Sequence, residues 1–299
     1  MGTYAITGAA SGMGRAAAAR LRDHGHTVIG VDLKDADVIA DLSTPQGRAQ
    51  AADGVVAASG GRLDGAVLAA GLGPGPGRDR LRRIAQVNYL GVVELLHAWR
   101  PALAAVERAK VVVIASNSTT TVPAVPRRTV RALLENDADG ALRSVKLFGR
   151  GAPSILYAAS KIAVSRWVRR HAVLPEWAGS GIRLNALAPG AIMTPLLQEQ
   201  LSDPTQAKAV RSFPIPIGGF GDVAHMADWI CFLLSDSADF LCGSVVFVDG
   251  GSDAYFRADD WPKPVPVRRL PGYLVRFRRG SRMMTAGDRV TGLPPMGSP

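Results

Sequence analysis

Short apolar runs alternate with helix-period segments along most of this chain. Thr3–Thr7 is an apolar run that ends in a glycine-rich turn, and an alanine-rich helical pattern follows to about residue 23. Further apolar runs at 27–31, 63–70, 111–115, 182–187 and 244–248 have the length and β-branched content of buried strands, and a shorter one covers 38–42. Helical periodicity occupies 81–106, the stretch around Tyr157 with Ile162, Val164, Trp167 and Val168 on its core face, and 223–234. Strands alternating with helices predict an α/β class, a doubly wound parallel sheet in one domain over residues 1–256. Two stretches break the pattern. Residues 119–153, with Pro123, Pro126, Gly149 and Gly151, break into mixed helical fragments longer than an ordinary connection, and 196–216 reads as a mobile flap.

Composition adds boundaries. The chain is 47% hydrophobic and 20% charged, and its apolar runs are interrupted before they reach bilayer length. A soluble protein is expected. Met1 leads directly into the first strand without a basic leader, so no secretory signal is predicted. Cys231 and Cys242 are the two cysteines, and neither a disulfide framework nor a metal site is suggested, which fits a cytoplasmic location. The formal charge is +10, and residues 257–299 carry nine Lys/Arg against three Asp/Glu, or +6, together with seven prolines. This basic C-terminal extension is expected to be partly extended or disordered, adding no layer to the core. No specific nucleic acid partner is predicted. A solvated tail is the commoner outcome for such a segment, with contact to an anionic membrane surface as the alternative.

The chemistry sits at the strand ends. Gly8, Ser11, Gly12, Met13 and Gly14 form a strand–turn–helix junction: Gly8 permits the tight turn, Gly12 the approach of a pyrophosphate, and Gly14 the packing of helix on strand. Asp32 closes the second strand, 18 residues after Gly14, where a carboxylate accepts hydrogen bonds from ribose hydroxyls. Together they predict a dinucleotide site. Lys34 just beyond is either solvated or a receiver for a 2′-phosphate, and Asp41, beside Leu42, either contacts an adenine edge or is a surface acid. Ala70 and Gly71 follow the fourth strand, where a cofactor crosses the sheet edge. Asn88, polar within an apolar helix, has either a structural or a catalytic role. Ser116 is delivered to the ligand-binding end of its strand, and Pro189 and Thr194 lie on another such loop. Tyr157 and Lys161, four residues apart, share a helix face, where an ammonium stabilises a phenolate.

In order and spacing these residues resemble the short-chain dehydrogenase/reductase family: Thr7, Gly8, Gly12 and Gly14; Asp41 and Leu42; Asn88; Ser116; Tyr157 and Lys161; Pro189 and Gly190; and Asp249, Gly250 and Gly251. The resemblance implies a Rossmann-like fold and a tetrad. In it Tyr157 transfers a proton, Lys161 lowers its pKa and holds the nicotinamide ribose, Ser116 polarises a carbonyl, and Asn88 anchors a relay water. Thr194 would hold the carboxamide. Ala69 departs from the asparagine often found there, and the stretch between Ser116 and Tyr157 is longer than usual. Residues 30–43, 70–74 and 184–190 further resemble the bacterial 3α-hydroxysteroid dehydrogenase/carbonyl reductase subgroup, which also has a long insert before the tyrosine. The implied activity is that of an NAD-dependent oxidoreductase that interconverts a secondary alcohol and a ketone, on a hydroxysteroid or other bulky carbonyl, and assembles as a dimer or tetramer. A reductase of acyl-carrier-bound ketones and a non-catalytic dinucleotide-binding protein are the alternatives.

Overall fold

A computed structural model describes residues 1–77 and 79–278. From the N-terminus come β1 (Thr3–Thr7), α1 (Gly12–Asp23), β2 (Thr27–Asp32), β3 (Val38–Ile39), α2 (Pro45–Ala58) and β4 (Gly65–Leu68). Next are α3 (Arg80–Ala85), a π-helical turn (Gln86–Leu90), α4 (Gly91–Ala104) and β5 (Lys110–Ile114). Three short helices follow, α5 (Ser118–Thr121), α6 (Arg127–Leu134) and α7 (Ala138–Val145), before α8 (Ala152–His171) and β6 (Arg183–Pro189). The rest is α9 (Pro195–Ser202), α10 (Pro204–Arg211), α11 (Val223–Leu234), β7 (Val245–Val248) and α12 (Ser252–Arg257).

The strands form one parallel sheet in the order β3-β2-β1-β4-β5-β6-β7. Successive side chains leave a strand on opposite faces, so one apolar run feeds two cores. Ala5, Val111 and Val113 pack with α2, α4 and α8 on one face, while Tyr4, Ile6, Val112 and Ile114 pack with α1 and α11 on the other. Burial of every residue of β5 follows from that double cover. The chain grows outward from β1 to β3 and then crosses to β4 on the far side of β1. The carboxyl ends of β1 and β4 therefore mark the switch point, where such sheets bind ligands.

The predicted α/β class and doubly wound parallel sheet are found. Three details differ. Helix α2 was not foreseen: its buried face is made of Gly47, Arg48, Ala51 and Val55, too small and too polar to give an apolar stripe. It is set instead by Thr44, whose hydroxyl accepts the Gly47 N–H at 3.0 Å, with Pro45 in the first turn. Its Arg48 is buried and donates to Glu94 at 2.6 Å and Gln86 at 2.8 Å. The long helix expected over 81–106 is interrupted by the π-helical turn that carries Asn88. The stretch read as a flap holds the two short helices α9 and α10.

The long insert folds as helices. Val130, Leu133, Ala141 and Val145 are buried in the same core as Leu156 and Ala163 of α8. A compact unit spans Met1–Phe256, and the chain beyond it forms a separate one. In that second unit residues 258–278 are exposed, 263–266 belong to no helix or strand, and 270–278 are helical. The expectation for 279–299 lies outside the described residues. Among the described residues no helix is long and apolar enough to cross a membrane, and no cluster of His, Cys, Asp or Glu is arranged to hold a metal ion.

Candidate active site

The switch point is built from backbone first. The Gly8 N–H donates to the Val31 carbonyl at 2.9 Å, and the Ala70 N–H donates to the Thr7 hydroxyl at 3.1 Å, which ties the ends of β1, β2 and β4 together. A Cβ on Gly14 would come within 2.2 Å of the Gly8 carbonyl oxygen, so only glycine lets α1 close on the turn. Ser11 is the residue before α1, and its hydroxyl makes no capping bond, which leaves the first N–H groups of the helix available to an anion.

Asp32 is fixed at the end of β2. One carboxylate oxygen accepts the Ala10 N–H at 2.9 Å and the other the Leu33 N–H at 2.7 Å. Each oxygen keeps a second lone pair for a hydroxyl. Leu33, not the exposed Lys34, lines the adjoining wall. Asp41 accepts the Ser43 N–H at 2.9 Å, and the hydrogen bonds from Ser43, aided by the Arg83 charge, hold its carboxyl below the usual range. Arg83 also lines the cleft and was missed in the sequence, where nothing separates it from its helix neighbours Arg80 and Arg82.

Ser116 and α8 form the inner wall. The Ser116 hydroxyl accepts the Ser118 N–H at 3.1 Å. Burial raises the pKa of the Tyr157 phenol, and a hydrogen bond with Ser116 opposes that rise. Lys161 is 5% exposed and donates to the Ile114 carbonyl at 2.7 Å, with its nitrogen 5.9 Å from the centre of the Tyr157 ring. Burial without a counter-charge lowers its pKa to about 8. Burial is the largest influence on the phenol, and Ser116 is the group that offsets it.

Asn88 stands beside the cleft, in the π-helical turn. It is fully buried, its amide oxygen accepts the Leu72 N–H at 2.8 Å, and its amide nitrogen donates to the Leu72 carbonyl at 2.9 Å. Both ends of the amide thus pin the loop after Gly71, and Asn88 lies behind the cleft wall. Thr194 is on the wall, with its hydroxyl accepting the Leu197 N–H at 3.3 Å as the cap of α9.

These groups line one cleft of about 700 Å³. Gly8, Ser11, Gly12, Met13, Gly14, Asp32, Asp41, Leu42, Ala70, Gly71, Pro189 and Thr194 lie along it, together with Ser116, Tyr157 and Lys161. Its far end is walled by Val122 from the insert, Ser154, Leu196, Leu197 and Gln200, and Val210 and Phe213. Side chains here are mostly apolar. The donor set fits a dinucleotide: uncapped N–H groups for a diphosphate, a fixed carboxylate for hydroxyls, and a half-buried phenol beside a serine beyond them.

Comparison with known proteins agrees with that geometry. Residues 3–126 match the family described as short chain dehydrogenase, and residues 141–253 match one described as enoyl-(acyl carrier protein) reductase. The 3-alpha-hydroxysteroid dehydrogenase/carbonyl reductase of Comamonas testosteroni is 38% identical over 258 residues, covering 86% of this chain and 98% of that protein. The chain belongs to the short-chain dehydrogenase/reductase family. Another relative, the coniferyl-alcohol dehydrogenase of a Pseudomonas species, is 32% identical across 82% of this chain and 94% of its own. Among solved structures, the 3-alpha-hydroxysteroid dehydrogenase of Pseudomonas sp. B-0831 in complex with NADH superposes with a TM-score of 0.80 at 41% identity, covering 87% of this chain and 100% of that one. This short-chain dehydrogenase/reductase is an oxidoreductase that uses a nicotinamide dinucleotide to interconvert an alcohol and a ketone.

Proposed function

We propose that this enzyme oxidises and reduces a bulky, uncharged secondary alcohol and its ketone, of the hydroxysteroid class, with NAD as the cofactor and residues 1–256 as the catalytic domain. The observation that carries this is the half-buried Tyr157 phenol beside Ser116 where the dinucleotide groove meets an apolar chamber. When bound, the nicotinamide supplies or accepts the hydride. Tyr157 moves the proton between its phenol oxygen and the substrate oxygen, as acid in reduction and as base in oxidation. Ser116 donates to the same substrate oxygen and orients it. Lys161 supplies positive charge that favours the phenolate and a donor for ribose hydroxyls. Asn88 is a positioning residue that holds the 71–74 loop, and Thr194 presents the start of α9 to the carboxamide side.

Preference for NAD rests on Asp32. A 2′-phosphate would bring about two negative charges to within roughly 4 Å of the carboxylate, and one such pair costs about 4 kcal/mol at an effective dielectric of 20. Half of that after solvent relief is about thirtyfold in affinity. Leu33 on the wall offers no compensating cation.

The assembly is a homo-oligomer. Helices α6 and α7 of the insert pack on α3 and α8 and cover that face, whereas the edge strand β7 and neighbouring α11 leave Trp229 and Phe232 39% and 42% exposed. Trp229→Glu should lower the mass measured by sedimentation if that edge is the contact. The reducing cytoplasm remains the proposed compartment.

A second reading, reduction of a ketone on an acyl carrier, is favoured by the acyl-carrier-protein reductase family matched at 141–253 and by the fold shared with a 3-ketoacyl-(acyl-carrier-protein) reductase of Brucella melitensis. The deciding experiment assays purified protein against a panel of hydroxysteroids, small secondary alcohols and a ketoacyl thioester, following NADH and NADPH. Turnover of the thioester alone, or equal use of both cofactors, would reject the reading above.

A further inference from the structure

We propose that residues 261–278 form a basic amphipathic anchor that lies on an anionic phospholipid surface. The inference stands apart from the reading of the cleft. The helical run 270–278 brings Leu270, Tyr273, Leu274 and Phe277 onto one face, because residues spaced by three and four align along a helix. Leu270, Tyr273 and Leu274 are 49%, 47% and 48% exposed, so nearly half of each apolar surface faces water. Trp261 is 70% exposed at the start of the segment. Leucine beside tryptophan and tyrosine is the composition of a membrane interface, where an aromatic ring buries its body and keeps its polar tip hydrated.

Charge selects the occupant. Lys263, Arg268, Arg269, Arg276 and Arg278 lie in this segment, which contains no Asp or Glu. All five are exposed. Four of them fall within or next to the helical run, so the arginine heads meet phosphate groups while the apolar face enters the acyl boundary. A nucleic acid would use the cations and leave Leu270 and Leu274 in water, whereas an anionic bilayer uses both. The segment is also additional to the shared fold: relatives are covered over 98% and 100% of their length by 86% and 87% of this chain. The family matches end at residues 126 and 253. Neither signal alone gives stable attachment, and their combination gives reversible, salt-sensitive binding.

The test is flotation of the full chain with vesicles of phosphatidylcholine, or of phosphatidylcholine mixed with phosphatidylglycerol, at low and high salt. Binding should be confined to the mixed vesicles and weaken with salt. Arg269→Gln and Arg276→Gln should each weaken it about fivefold, the effect of one basic side chain near such a surface. Leu274→Ser should weaken it about tenfold by removing a buried leucine. Alcohol turnover should be unchanged in all three variants, which separates lost binding from lost folding. Absence of binding, equal binding to neutral vesicles, or binding that survives removal of 257–299 would each overturn the proposal. So would duplex DNA binding by the segment together with vesicle binding indifferent to Leu274→Ser, which would assign the surface to nucleic acid.

Discussion

The two ends of the cleft are made of different material. At the dinucleotide end, the walls are strand termini and one glycine turn, tied by backbone hydrogen bonds such as Gly8 to Val31 at 2.9 Å and by the doubly held carboxylate of Asp32. At the chamber end, the walls are side chains such as Val122, Leu197, Val210 and Phe213, carried by the insert and by the segment of α9 and α10. Seven paired strands leave the first end little freedom to vary without loss of the sheet, whereas short helices outside the sheet can be rebuilt around a new substrate. Common chemistry and individual specificity thus occupy opposite ends of one cavity.

The largest effect should come where the two ends meet. Tyr157→Phe removes only the hydroxyl that moves the proton, so turnover should fall at least about a hundredfold while cofactor affinity changes little. Stopped-flow turnover with parallel cofactor titration checks this, and retention of more than about a tenth of wild-type kcat would remove Tyr157 from its role.

Asp32→Ala acts on the dinucleotide end alone. It should narrow the ratio of kcat/KM for NAD over NADP by about thirtyfold and leave the ranking of substrates intact. A change in substrate ranking would show that the two ends are not independent.

Lys161→Met should cost activity and raise stability. With a pKa of about 8 in the folded protein, Lys161 is held below its unfolded value by burial, so folding loses stability at every pH below about 8. The loss is relieved as pH rises from about 8 through the unfolded value of about 10.4. Burying the charge costs about 3 kcal/mol at pH 7, and losing the bond to Ile114 returns about 1, so the variant should gain about 2 kcal/mol in urea unfolding. That gain should shrink above pH 8. An equal gain at pH 7 and pH 10 would contradict burial as the cause.

Phe213→Ala should have the smallest effect, confined to the chamber. KM for a bulky steroid alcohol should rise about tenfold, with little change for a small alcohol and none in NAD affinity. Equal losses for both alcohols would mean that Phe213 supports the fold rather than the substrate.

The same division governs what could be read before the structure. Six of the strands, the turn from Gly8 to Gly14 and the pairing of Tyr157 with Lys161 rest on local spacing, and apolar run length or a step of four residues is enough to find them. Helix α2 escaped because its buried face is glycine, alanine and arginine, whereas the insert was legible as helical fragments and its helices are eight residues or fewer. Arg83 escaped because an arginine on an amphipathic helix carries no local mark of which neighbour it meets.

By itself, then, the order of residues determined the α/β class, the glycine turn, the acid at the end of β2 and the placing of Tyr157 and Lys161 on one helix face, since each depends on groups a few positions apart. Tertiary structure alone decided that Asn88 holds Leu72, that Lys161 is tied to the Ile114 carbonyl, and that the insert and the α9–α10 segment close one chamber. Those partners lie 16 to 47 residues apart for the two hydrogen-bonded pairs. A hydrogen bond between elements so separated is set by how sheet and helices pack, and no periodicity along the chain encodes that distance.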